Sequence, residues 1–322
     1  MEIKHITSIS EYVGEVCAIT QTYIHEAPLQ YEIPLFRGQP DLDFPLLPSI
    51  ARGRGSSIEI SIFNEERNLI EMAKIRMPTV FKKDLEPIEL LALLQHHGIP
   101  TRMLDVTENS LVALYFACCD EKCSNKDGEV IVFKDTTNSI GIYPIIQAIA
   151  DSYRICGKAS TSASIFLNKA KNFDYFREHQ YLIQLMNEKR EAKQSTGESS
   201  GFDDWMLGIS RSPLFIYAPF SCLRQKMQQG RYILFQNDVE TDDKGIVSIE
   251  PMISEIPKNH SCIAARIQVD ASSKGEILQQ LSLFGISRQT LFPDSTDVVC
   301  EEIKKDALAR IQSSNECDWD VI

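Results

Sequence analysis

The alternation of apolar and polar positions divides the chain into amphipathic helices and short strands. Apolar residues spaced three or four apart indicate helices, and short apolar runs bounded by turn residues are typical of strands. The pattern predicts helices at residues 8–28, 59–77 and 87–97, from Thr107 or Asn109 through Phe116, across 142–193, and at 274–284 and 296–311. It predicts strands at residues 31–36, 103–106, 129–133, 214–217, 232–235, 245–248 and 262–269.

Short strands interleaved with helices indicate an α+β fold, with a mixed or antiparallel sheet and surrounding helices. Pro34 cannot donate to a strand ladder, so the strand at 31–36 is expected at a sheet edge. Residues 141–205 are predicted to form a helical insertion. The organisation predicted is an N-terminal helix at 1–30, a main domain in two parts at 31–140 and 206–322, and the insertion between them.

The composition and net charge of the chain indicate which kinds of ligand and surface it can bind. The 322 residues are 43% hydrophobic and 24% charged, as in a globular protein, and the formal net charge is −12. This acidity argues against a broad nucleic-acid surface but allows a small basic pocket for a nucleotide. No apolar run approaches the roughly 18 residues of a membrane span, and the N-terminal residues lack a signal-peptide pattern. We therefore expect a cytoplasmic protein with no membrane contact.

The nine cysteines are irregularly spaced, and several lie in apolar runs. Buried free thiols are the favoured interpretation. Cys118, Cys119 and Cys123 lie close together, but no second Cys/His pair follows at the spacing of a zinc site. We expect no bound metal.

The first candidate segment is Phe36-Arg37-Gly38-Gln39. The guanidinium of Arg37 is a planar fork of donors suited to phosphate or carboxylate. Gly38 would let a ligand approach the main chain closely. The alternative is that Arg37 forms a structural ion pair.

The second candidate segment runs from Gln95 to Thr107 and begins with two histidines at a helix end. The carbonyl end of a helix favours the protonated form of histidine. His97, which precedes a glycine, is expected to be the functional histidine. His96 is expected to pack against the protein.

Three further polar residues follow in the same segment. Arg102 either binds a ligand or ties loops together, and Asp105 either takes part in catalysis or caps the next helix. Thr107 ends the segment with a hydroxyl. In an alternating strand Arg102 and Asp105 lie on opposite faces, so they need not pair with each other.

The third candidate segment is Gln228-Gln229-Gly230, which precedes a predicted strand. Two side-chain amides can hydrogen-bond a ribose or a base without adding charge. We expect Gln228 and Gln229 to form part of a pocket wall.

Together these segments resemble the FRG-domain family. The pattern is Phe-Arg-Gly, then Gln-His-x-Gly-x-Pro-Thr-Arg-x-Leu-Asp-x-Thr, then Gln-Gln-Gly and Leu-Phe-Pro-Asp. The resemblance extends from about Leu35 to Ile311. The chain departs from the family pattern at His97, where an aromatic residue is usual, and at Val106, where tryptophan is usual. Members occur in bacteria and phages, and their function is poorly defined.

A fainter resemblance is to ADP-ribosyltransferases, and it implies NAD as substrate. It implies that Arg37, with its neighbours Gly38 and Gln39, holds the pyrophosphate, and that Thr107 holds the nicotinamide ribose. Gln229 would stand where the catalytic glutamate is usual. Because glutamine cannot carry the stabilising charge, Asp105 or a histidine must supply it.

Three hypotheses follow from these residues. The first is an NAD-dependent ADP-ribosyltransferase or NAD glycohydrolase, acting as an effector in conflicts of bacteria with phages. The second is a nucleotide- or phage-sensing module that regulates a protein partner through residues 141–205. The third is a nuclease using the histidines and Asp105, which the net acidity and the lack of a metal-ligand pattern make the weakest.

Overall fold

A computed structural model of the chain describes residues 3–26, 34–52, 62–134, 143–157, 159–177, 179, 184, 213–219, 222–243 and 247–293. The helix predicted at 296–311 lies outside these residues. Within the described parts of the chain, no helix is long and apolar enough to cross a membrane.

The strands of the described residues form two sheets. They are β1 (Ile3–Ile6), β2 (Leu35–Gln39), β3 (Met103–Thr107), β4 (Gly128–Phe133), β5 (Thr161–Ser162), β6 (Leu214–Ile216), β7 (Gly230–Leu234), β8 (Val239–Thr241), β9 (Val247–Ile249) and β10 (Ile263–Val269). The main sheet has the order β1-β10-β4-β2-β3-β7-β6, and the smaller sheet has the order β5-β9-β8. β1 runs parallel to β10 and the other neighbours are antiparallel. The predicted α+β fold with a mixed sheet is confirmed.

The helices agree in position with most of the predicted ones. They are α1 (Ile9–Glu26), α2 (Glu66–Arg76), α3 (Pro87–His96), α4 (Ser110–Cys118), α5 (Tyr143–Ala150), α6 (Ser152–Ile155), α7 (Ala163–Ala170), α8 (Asp174–Arg177), α9 (Leu223–Met227), α10 (Lys274–Leu283) and α11 (Arg288–Leu291). Asn109 caps α4, since its side chain accepts the backbone N–H groups of Leu111 and Val112. β5 interrupts the region that was predicted to be helical throughout.

The prediction that the strand ending near Phe36 lies at a sheet edge is wrong. β2 pairs with β4 on one side and with β3 on the other, in the middle of the main sheet. Pro34 immediately precedes β2, so its missing N–H removes no ladder hydrogen bond.

Both faces of the main sheet are covered. On one face, Val112 and Ala113 of α4 belong to the same buried cluster as Phe36, Val130 and Val132. On the other face, apolar side chains of β2, β3, β4 and β7 pack with residues of the loops, namely Leu35, Leu104, Ile131, Ile233, Leu46, Ile253 and Ile256. Burial on both faces explains why β4 is a continuous apolar run rather than an alternating one.

The region predicted as an insertion contributes to a third buried cluster. Ile145 of α5 and Phe166 of α7 pack in the same cluster as Leu91 of α3 and Leu214 of β6. The domain boundaries themselves stay predictions.

Two glycines let α4 lie directly on the sheet. A Cβ built on Gly38 would lie 1.8 Å from the carbonyl oxygen of Ala113, and one on Gly128 would lie 2.4 Å from that of Ala117. Atoms do not approach that closely without a clash. The glycines of β2 and β4 therefore fix how near α4 can come, and any side chain there would push the helix away.

Arg102, just before β3, is held by a buried network. Its Nε and Nη2 donate to the two carboxylate oxygens of Glu66 at 2.8 and 2.5 Å, and its Nη1 donates to Asn237 Oδ1 at 2.9 Å. The Arg102 side chain is 1% exposed. This pair ties α2 to the main sheet and to the segment after β7.

We expect Gly38→Ala to lower the free energy of unfolding by about 3 kcal/mol, because the new methyl group forces α4 off the sheet. The control is Gly14→Ala in α1, where nothing lies within 4 Å of the added Cβ. That change should leave stability unchanged or raise it, since alanine favours a helix interior. Urea unfolding of both variants tests the difference, and equal midpoints would contradict the close approach.

We expect Arg102→Ala to lower the free energy of unfolding by about 3–5 kcal/mol, because it leaves the buried Glu66 carboxylate without its counter-charge. The control is Asp174→Ala, which breaks the exposed ion pair of Asp174 with Arg177, where the aspartate is 91% exposed. Water screens that pair, so its loss should fall within experimental error. Thermal and urea unfolding would show the contrast, and similar midpoints for the two variants would be inconsistent with it.

Candidate functional site

The three segments singled out in the sequence meet on neighbouring strands. β2, β3 and β7 lie side by side, with Phe36 opposite Thr107, Asp105 opposite Tyr232 and Thr107 opposite Gly230. These residues line a cavity of about 350 Å³. Cofactor and ligand pockets in proteins have volumes of about 300–1,000 Å³.

The cavity lies on the face of the sheet that α4 covers. Side chains directly opposite each other on paired strands share a face, so Phe36, Asp105, Thr107 and Tyr232 point to the same side. The ends of three helices complete the walls, with Gln95 and His96 from α3, Phe116 from α4, and Arg224 and Gln225 from α9.

The floor of the cavity depends on a gap in the sheet. Within these two fully described strands, β2 and β3 pair at Phe36 and Thr107 and do not continue the ladder. The carbonyl of Arg102 accepts the N–H of Phe235, toward the β7 side. Because main-chain groups alternate along a strand, the carbonyl of Asp105 points the other way, toward β2. Arg37 Nη1 donates to that carbonyl at 2.6 Å and so supplies the hydrogen bond that the ladder lacks.

The orientation of Arg37 is set by polar contacts behind it. Its Nε donates to Gln39 Oε1 at 3.1 Å, and Gln39 Nε2 donates to the carbonyl of Phe44 at 2.8 Å and to Glu129 at 3.4 Å. Glu129 is held in turn by Arg266, at 2.6 and 2.9 Å, and by Lys258. Gln39 is 1% exposed and does not line the cavity, so it positions Arg37 rather than meeting a ligand.

Arg37 carries its charge at the cavity wall. Burial lowers the pKa of its guanidinium to about 10, and nearby Asp105 opposes that shift. The group therefore stays protonated at neutral pH. Its second terminal nitrogen, Nη2, has no hydrogen-bond partner among the described residues and is left to donate to a ligand.

Asp105 presents a carboxylate in the cavity. Gln95 Nε2 donates to Asp105 Oδ2 at 2.7 Å, and Thr101 fixes the Gln95 amide by donating to its Oε1. The other carboxylate oxygen, Oδ1, accepts no hydrogen bond from the described residues. Asp105 is exposed, and Asn109 rather than Asp105 caps α4. The capping alternative for Asp105 is therefore wrong.

Thr107 and Gln228 line the cavity but are engaged in structural contacts. Thr107 Oγ1 donates to the carbonyl of Gln228 at 2.6 Å and accepts the N–H of Asn109 at 3.0 Å. Gln228 Nε2 donates to the carbonyl of Leu291 at 3.1 Å, which ties α9 to α11. The Thr107 hydroxyl thus joins β3 to the turn before β7.

The two histidines have places opposite to those predicted. His96 lines the cavity, and its Nδ1 lies 3.3 Å from Cys222 Sγ. His97 is exposed and lies outside the cavity, edge-on to Phe81 with their ring centres 5.7 Å apart. Successive residues on a helix point about 100° apart, so when His96 faces the cavity, the adjacent His97 points away from it.

Two other predicted residues do not reach the cavity. Arg102 is saturated by Glu66 and Asn237 on another side of the sheet. Gln229 is exposed and has a φ of 46°, a left-handed conformation that ends α9 and turns its side chain away. Neither Arg102 nor Gln229 therefore lies where its expected role, ligand binding for Arg102 and catalysis for Gln229, would require.

Several cavity residues were given no role in the sequence analysis, although Phe36 belongs to the first candidate segment. Phe36, Phe116 and Tyr232 supply aromatic walls, and Arg224 stacks on Phe292 with its Cζ 4.5 Å from the ring centre. Arg224 and Gln228 are four residues apart, the spacing of one helix face, which could have identified Arg224.

Tyr232 and Gln225 form a fixed wall. Gln225 Nε2 donates to the hydroxyl of Tyr232 at 2.6 Å, and both side chains are buried. Burial raises the pKa of Tyr232, and the negative charge of Asp105 raises it further. The tyrosine is neutral at physiological pH.

Among the described residues, no group of three His, Cys, Asp or Glu side chains comes together as metal ligands would. The polar groups that line the cavity include two arginines, two carboxylates (Asp105 and Asp120) and the amides of Gln95, Gln225 and Gln228.

Comparison with known proteins places the first half of this site in a family. No curated protein and no solved structure matches the chain. Residues 33–126 match the family model of the FRG domain. This stretch contains β2, β3 and α4 and therefore Arg37, Gln95 and Asp105, whereas the cavity residues of α9 and β7 follow later in the chain. This part of the chain is therefore similar to the FRG domain.

Proposed function

We propose that the cavity binds a nucleotide, and that the protein is an NAD-dependent ADP-ribosyltransferase or NAD glycohydrolase. The observation that carries the proposal is the carboxylate of Asp105, which Gln95 holds in the cavity with one oxygen left for a ligand. The role as an effector in conflicts of bacteria with phages, and the cytoplasmic location that would supply NAD, belong to the same proposal.

The groups of the cavity suit the parts of NAD. Arg37 offers an unbonded N–H donor beside the gap between β2 and β3, which suits a phosphate oxygen. Phe36, Phe116 and Tyr232 offer aromatic surfaces on which a planar ring can stack. The side-chain oxygen of Gln228 can pair with a ribose hydroxyl.

Asp105 would act on the bond between nicotinamide and ribose. As this bond breaks, its electron pair leaves with nicotinamide, and positive charge develops at C1′ of the ribose. A carboxylate about 4 Å away would stabilise that charge by about 4 kcal/mol at an effective dielectric constant near 20. Water then attacks C1′ and loses a proton, giving ADP-ribose and nicotinamide. In a transferase, a nucleophile on an acceptor takes the place of water.

A second candidate is a nucleotide- or phage-sensing module without turnover. The observation that favours it is the engagement of Thr107, whose hydroxyl both donates and accepts within the protein. The group expected to hold the nicotinamide ribose is therefore occupied. In this case the cavity would bind a nucleotide and signal to a partner through residues 141–205, of which α5 to α8 are described.

Nicotinamide release from NAD distinguishes the two, with Asp105→Asn as the decisive variant. Asparagine keeps the shape and can still accept from Gln95, but it removes the charge. We expect release to fall by about 100- to 1,000-fold, in line with the loss of one preorganised electrostatic contact. The matched control is Gln229→Asn, which changes an exposed residue outside the cavity and should leave release unchanged.

The alternatives give different results in the same assay. Absence of both nicotinamide release and a thermal shift with NAD would overturn NAD as the ligand. A thermal shift without release would support the sensing module. Release that survives Asp105→Asn would place the chemistry on another group.

A further inference from the structure

A cysteine and a histidine meet beside the cavity. Cys222 immediately precedes α9, and His96 is the last residue of α3. The distance between Cys222 Sγ and His96 Nδ1 is 3.3 Å, which is hydrogen-bonding contact for sulfur. His96 lines the cavity and Cys222 is half-buried, so the sulfur is close to solvent.

Two main-chain features flank the pair. The carbonyl end of α3, a helix of 10 residues, stabilises positive charge on His96. The backbone N–H of Gln225 donates to Cys222 Sγ at 3.5 Å and stabilises negative charge on the sulfur. Reactive cysteines occupy such positively charged, partly exposed surroundings.

The other described cysteines lack this combination. Burial raises the pKa of four thiols to about 11 or 12, namely those of Cys118, Cys119, Cys156 and Cys262. Protonated, buried thiols are poor nucleophiles. Cys17 is exposed on α1 and provides a reference for an ordinary accessible thiol.

We propose that Cys222 is a reactive thiol, activated by His96, and that hydrogen peroxide oxidises it to a sulfenic acid. The thiolate attacks one peroxide oxygen and the O–O bond breaks. The imidazolium of His96 gives its proton to the departing hydroxide, which leaves as water. The net reaction consumes one thiol and one peroxide and yields one sulfenic acid and one water. This chemistry does not depend on the nucleotide proposed above.

The first test uses the unmodified full-length protein. The reduced protein is treated with limiting iodoacetamide at neutral pH, and the rate at each cysteine is read by peptide mass spectrometry. We expect Cys222 to react about tenfold or more faster than Cys17, as an activated thiol does. A Cys222 rate equal to or below that of Cys17 would overturn the proposal without any variant.

The second test identifies the activating group. His96→Gln should slow alkylation of Cys222 about tenfold, since the proton acceptor is lost. His97→Gln is the matched control, because His97 is adjacent to His96 and exposed, with its ring against Phe81. It should leave the rate unchanged. Equal rates in wild type and His96→Gln, with thermal unfolding showing both folded, would refute the role of His96.

The oxidation step is read with dimedone, which traps sulfenic acids. After exposure to hydrogen peroxide, the dimedone adduct should appear on the peptide containing Cys222 in wild-type protein. It should be absent from that peptide in Cys222→Ser and reduced in His96→Gln. A wild-type protein that forms no adduct at Cys222 would contradict the oxidation.

Discussion

The cavity exists because β2 and β3 separate after a single residue pair. The hydrogen bond from Arg37 to the carbonyl of Asp105 stabilises this opening in the sheet. A strand carbonyl that loses its ladder partner needs another donor, and at this opening in the sheet Arg37 replaces the missing N–H. Arg37 does this with one nitrogen and keeps another for a ligand. The same guanidinium therefore supports the fold and lines the candidate site.

Most elements of the fold could be predicted, because their signals are local. Apolar periodicity located the helices, and Gly98 and Pro100 correctly separated α3 from β3. The position of β2 in the sheet could not be read in this way. Pro34 indicates an edge strand, but the proline falls just outside the ladder, and the partners of β2 come from β3 and β4 far along the chain. Strand order is a property of distant pairings rather than of a segment.

The site was predictable by segment but not by side chain. Gln95 to Thr107 does approach Arg37, yet His96 and not His97 faces the cavity, and Gln228 and not Gln229 does so. Each error concerns two like residues side by side, where the rotation of a helix end or one left-handed turn decides which one points inward. The two alternatives for Arg102, ligand binding or tying loops together, could not be separated for another reason. Its partner Glu66 lies 36 positions away on α2, and the residues around Arg102 do not indicate this pairing.

The contacts behind Arg37 connect the cavity to β10, a strand that does not line it. Arg266 on β10 holds Glu129 on β4, Glu129 meets Gln39 on β2, and Gln39 orients Arg37. The direction of one guanidinium is thus set by charges spread over three adjacent strands. A flexible arginine on a loop would have to lose many rotamers on meeting an anion, whereas this one has already lost them during folding. Discrimination between ligands in the cavity can therefore drift with substitutions on the far side of the sheet, which makes β10 a place where specificity could evolve without altering the cavity wall.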